Sequence, residues 1–167
     1  IPRINYSGFS YQDTLGSEEI VNGDFATDSN WNKGANWTIS GGTANRTANA
    51  TSNISQVISG ISGKKIQVVF TVSNYGGSGG IGASANGNDY TQNVGNGTFT
   101  EQITPTSDNL YIRASYAFVG SIDNVSVKEV LGQEVVPDSG CGNWLLEPQS
   151  TNLINNSELL NTYFSYK

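Results

Sequence analysis

The sequence predicts an all-β fold, a jelly-roll β-sandwich with extended N- and C-terminal flanking segments. Three observations predict it. Apolar and polar residues alternate with period two over several short runs. Clusters of Gly, Asn, Asp, Ser and Pro separate these runs at roughly 8–12 residues, the spacing of sandwiches and barrels. No segment between 18 and 131 carries the 3.6-residue periodicity of a helix of normal length.

The elements follow in order. Residues 1–17 form a polar lead with Tyr6, Phe9 and Tyr11 scattered through it. Trp37-Thr38-Ile39-Ser40 and Ile54-Ser55-Gln56-Val57-Ile58 are short strand candidates. Ile66-Gln67-Val68-Val69-Phe70-Thr71-Val72 is the clearest, with Ile66, Val68, Phe70 and Val72 on one face. Gly76-Gly77-Ser78-Gly79-Gly80 reads as a flexible hairpin tip. Thr98–Ile103, Leu110–Ala114 and Ile122–Val127 complete the set. Residues 132–167 change character, with Pro137, Pro148 and an Asn-rich stretch, and read as a linker or attachment segment leading to a further domain. The opening Ile1-Pro2-Arg3-Ile4 and the ending at Lys167 are expected of a piece of a longer polypeptide.

Composition narrows the function. Charged residues are 13% of the chain, about half the usual ~25%. Gly, Asn and Ser each number 20, and Thr 14. A net charge of −6 argues against a nucleic-acid partner, which needs clustered Lys and Arg. No apolar run approaches the ~20 residues that cross a bilayer, so no membrane insertion is expected. With no His, Ser-His-Asp triads, Cys-His pairs and His-ligated metals are excluded. A single Cys, Cys141, closes no intrachain disulfide and has no nearby base. The Gly-rich run lacks the Lys and helix of a phosphate-binding loop. The acids lie mostly in turns and at zone edges, so no catalytic residue is assigned and a non-enzymatic protein is expected.

Two sets of motifs carry resemblances. Glu18-Glu19-Ile20-Val21-Asn22-Gly23-Asp24-Phe25, then Trp31, Trp37 and Gly41-Gly42-Thr43-Ala44, and finally Ser121-Ile122-Asp123-Asn124-Val125-Ser126-Val127 resemble the carbohydrate-binding-module jelly roll of the galactose-binding-like superfamily, over residues 18–131. The flanks, Pro2-Arg3-Ile4-Asn5-Tyr6 and Cys141-Gly142-Asn143-Trp144-Leu145-Leu146-Glu147-Pro148-Gln149-Ser150-Thr151-Asn152-Leu153-Ile154, resemble phage tail-fibre and other virion structural proteins, with the jelly roll inserted between them. The chain departs from that pattern in having Asn143-Trp144 before the leucines and Ser150 after Gln149. Together the resemblances imply a virion-surface protein that works alongside other virion subunits, as a homo-oligomer or in many copies, and contacts a host-surface glycan. A purely architectural decoration domain and the binding module of a secreted glycosidase are the alternatives.

Sugar binding calls for an aromatic platform with planar polar side chains beside it. Trp37, Tyr75, Tyr90, Tyr111 and Tyr116 are the aromatic candidates, although core packing competes for Trp37. Arg113, Asn74, Asn86 and Gln92 are the polar ones; Tyr111 and Arg113 share a strand face because side chains alternate. Without His, a metal would be a hard cation on carboxylates and carbonyls. The module resemblance implies one structural Ca2+ near the first and last strands, at positions matching Asp24 and Asp123. If the flanks are the working parts, Trp144, Leu145 and Leu146 are the expected partner contacts.

Overall fold

The structure is a computed structural model and describes residues 9–47 and 50–137, with side chains from 13 to 132. Every element among them is a strand. In chain order these are β1 (Phe9–Glu18), β2 (Asn32–Lys33), β3 (Trp37–Ser40), β4 (Thr43–Arg46), β5 (Ser52–Val57), β6 (Ile66–Gly77), β7 (Ile81–Ser84), β8 (Gly97–Ile103), β9 (Asn109–Ala114) and β10 (Phe118–Pro137). One sheet runs β3-β4-β10-β6-β8, with β1 also paired to β10. The other runs β2-β5-β9-β7. From β5 onward successive strands alternate between the sheets, so the chain is an all-β sandwich, as its alternation predicts.

Alternation sets the core. On β6, Ile66, Val68, Phe70 and Val72 point inward and are buried, while Gln67, Val69 and Thr71 are half-buried on the other face. The opposite sheet supplies Ile54, Ile81, Leu110 and Ile112. Phe70 meets Phe99 with ring centroids 5.8 Å apart. Each such side chain removed from water contributes about 1.5–3 kcal/mol.

The two end motifs meet. Val125 N–H donates to Gly23 C=O at 2.8 Å, and a Cβ on Gly23 would stand 2.0 Å from Val125 O, so only glycine fits. Asn22 takes a left-handed φ of 56°. Its carbonyl accepts Trp31 Nε1–H at 2.9 Å, and Phe25 packs on Trp31 at 5.1 Å between centroids. Opposite, β10 is irregular between Asp123 and Ser126, with Asn124 at φ 51°. Glu18 closes this bulge, accepting Val127 N–H at 2.6 Å and Ser126 Oγ–H at 2.5 Å.

The sandwich belongs to a unit spanning Gln12–Glu134, and β1 pairs with β10. Trp144, Leu145 and Leu146 lie outside the described residues. The glycine run does not behave as a free hairpin tip. A Cβ on Gly79 would stand 2.0 Å from Ser115 Oγ, and one on Gly80 would stand 2.6 Å from Gln92 Cβ. Both glycines are buried beneath neighbouring chain.

Candidate functional site

The residues that gather are on the outer face of the four-stranded sheet. Ile112 and Ala114 of β9 point into the core, which turns Tyr111 and Arg113 outward. Register places Asn53 of β5 and Gly82 of β7 on either side of Arg113, and Ser55 and Ser84 on either side of Tyr111. Arg113 and Tyr111 are therefore neighbours at the centre of this face.

The segment after β7 folds back over it. Asn93 exchanges two backbone hydrogen bonds with Ile81, each 3.0 Å, and Tyr90 bridges to Ser84. A Cβ on Gly82 would stand 2.0 Å from Thr91 O, so glycine admits the returning chain. Asn86 Oδ1 makes the turn, accepting Asn88 N–H at 2.8 Å and Asp89 N–H at 3.1 Å. Gly87, at φ 80°, is buried, its virtual Cβ 3.2 Å from Asn53 Nδ2 and 3.4 Å from the Tyr111 ring. Its carbonyl accepts Asn53 Nδ2–H at 3.2 Å and Arg113 Nη1–H. The Tyr90 ring is thereby held 5.9 Å from the Arg113 guanidinium, within cation–π range.

The structure thus brings together Tyr90, Tyr111 and Arg113 and adds Asn53 and Gly87. The other aromatics separate from them. Trp37 is 4% exposed and packs in the core, and the Arg46 guanidinium lies 5.9 Å from its ring. Tyr75 is half-buried against the core, its ring 5.9 Å from Phe118 and its hydroxyl donating to Gly79 O at 3.2 Å. That leaves Tyr75 a packing residue. Tyr116 is 60% exposed in the turn between β9 and β10. Asn74 and Gln92 are exposed, and Asn86 serves the turn.

Among the described residues two charged side chains are buried. Arg46 donates from Nη2 to Ala50 O, leaving Nε and Nη1 unpaired, and burial pulls its pKa down. Glu101 accepts Ala83 N–H at 3.2 Å and an amide N–H of Asn93, tying β8 to β7. Burial pushes its pKa up, partly offset by those two hydrogen bonds. Both Glu101 oxygens are occupied by structural partners.

For a metal, Asp24 and Asp123 sit on backbone joined by the Gly23–Val125 hydrogen bond. Each carboxylate is already engaged locally: Asp24 Oδ1 with Ala26 N–H at 3.3 Å, Asp123 Oδ1 with Asn124 N–H at 2.6 Å. Ca2+ takes 6–8 oxygens. Among the described residues no group of three His, Cys, Asp or Glu side chains converges, so these residues do not form a carboxylate cage. No family model, curated protein or solved structure matches this chain.

Proposed function

We propose that the sandwich is a glycan-adhesion module of a virion-surface structural protein, non-enzymatic and displayed in many copies. The observation that carries the sugar-binding half is the meeting of Tyr90, Tyr111, Arg113 and Asn53 on one sheet face. A half-exposed tyrosine beside fixed hydrogen-bonding groups suits a pyranose, whose apolar face stacks while its hydroxyls bond. The virion half rests on the flanking motifs quoted above. Single sites of this kind bind weakly, and linked copies raise apparent affinity through effective concentration.

The test is Tyr90→Ala in a glycan array and in binding to host cells. Loss of the ring should weaken binding about tenfold, the equivalent of ~1.4 kcal/mol. Undiminished binding with an unchanged melting temperature refutes the assignment. The architectural reading draws on a different observation: Asn53 and Arg113 already hold Gly87, so the cluster also serves as a clasp. Under that reading no glycan binds, and Tyr90→Ala changes stability alone.

A further inference from the structure

Arg113 has donors left over. Nη1 is held by Gly87 O and lies 3.4 Å from Asn53 Oδ1. Among the described residues neither Nε nor Nη2 has an acceptor, and the Arg113 side chain is only half-buried. Nε–H and Nη2–H form one edge of the guanidinium, and their parallel bonds match the two oxygens of a carboxylate. The Gly87 bond and the Tyr90 ring fix that edge in place, so little side-chain freedom remains to be lost on binding. Arg46 offers no such edge: its free Nε and Nη1 are sealed inside the sandwich.

We propose that this face takes a carboxylate-bearing glycan, a polymer containing hexuronate or a comparable acidic sugar. The sugar carboxylate sits on Nε and Nη2 of Arg113, and the pyranose ring lies against Tyr90. The proposal rests on the glycan-binding reading above and names its substrate class. Tyr90 favours a sugar over an acidic peptide, because stacking needs a rigid ring beside the charge. The guanidinium edge pairs with two carboxylate or two phosphate oxygens alike, so the choice between them is left to the test. With a net charge of −6 the chain has no broad positive field to collect polyanions, so selection falls to the one edge.

The test uses the full chain in titration calorimetry against polygalacturonate and alginate, and against the same polymers after reduction of their carboxyl groups. The acidic polymer should bind at least about tenfold tighter than its reduced form. Arg113→Lys should bring that ratio close to one, since an ammonium lacks the paired edge. The ligand-side comparison needs no variant and stands even if Arg113→Lys fails to fold. Equal affinity for the acidic and reduced forms overturns the proposal and leaves neutral-glycan binding intact. Polyglutamate or glycerol-phosphate teichoic acid binding as tightly as polyuronate overturns it in favour of a general anion site. If neither acidic, reduced nor neutral polymers bind, the glycan reading itself fails.

Discussion

Replacing Glu101 with Gln isolates the charge of a buried acid that joins the two sheets. Its oxygens accept Ala83 N–H and Asn93 Nδ2–H, so a Gln can satisfy one and must turn an N–H2 toward the other. Asn93 cannot flip in reply, because Nδ2 also donates to Ile81 O at 3.0 Å. A mismatched buried donor costs about 1–3 kcal/mol. Against this, Gln removes a charge that burial disfavours. Burial raises the folded-state pKa above the ordinary carboxylate value of ~4.3. The stability that Glu101 confers is then fully present below ~4.3 and declines as pH rises through the folded value. Wild type should stand highest relative to Glu101→Gln near pH 3.5 and lose ground toward pH 7, while the other titrating groups cancel between the two proteins. Urea unfolding across that range, followed by the fluorescence of buried Trp31 and Trp37, reads it. A relative change of about 1 kcal/mol corresponds to a midpoint shift of about 0.3–1 M. A difference that stays flat, or a wild type that gains ground with pH, would mean the hydrogen bonds outweigh burial, and the reasoning fails.

Gly82→Ala should drive the Thr91 segment off β7, lowering stability by about 1–3 kcal/mol and weakening glycan binding as Tyr90 moves. Gly76→Ala, whose nearest neighbour would be Val119 at 3.8 Å, should leave both melting temperature and binding unchanged. For calcium, Asp24 and Asp123 each bond within their own loop, so millimolar Ca2+ followed by chelation should shift the melting temperature by less than about 1 °C. A midpoint that climbs with the logarithm of Ca2+ concentration would establish a site there.

The alternation of Ile66–Val72 revealed β6 because every second residue is apolar and its neighbours are not. The same rule placed Tyr111 and Arg113 on one face. β4 and β7 escaped it for opposite reasons. In Thr43-Ala44-Asn45-Arg46 the inward positions are Ala44 and Arg46, and a buried arginine is not a strand signal. In Ile81-Gly82-Ala83-Ser84 every residue is buried, so nothing alternates. The site was half legible. Asn53 and Gly87 are 34 positions apart, and the register that makes them partners belongs to the sheet rather than to either segment.

Tyr75 and Tyr90 show how far local signals reach. Both flank glycine-rich stretches, and both look equally free in the sequence. Pairing of Gly76 with Val119 and Gly77 with Phe118 lays Tyr75 against Phe118, whereas the Ser84 bridge carries Tyr90 over Arg113. The glycines themselves held the missing information. Gly79 and Gly80 lie under Ser115 and Gln92, Gly82 under Thr91, and Gly87 beside Asn53 and Tyr111. A chain this rich in small polar residues can bring backbone directly onto backbone. At these positions glycine marks close approach between segments, and a side chain there would push the segments of this sheet face apart.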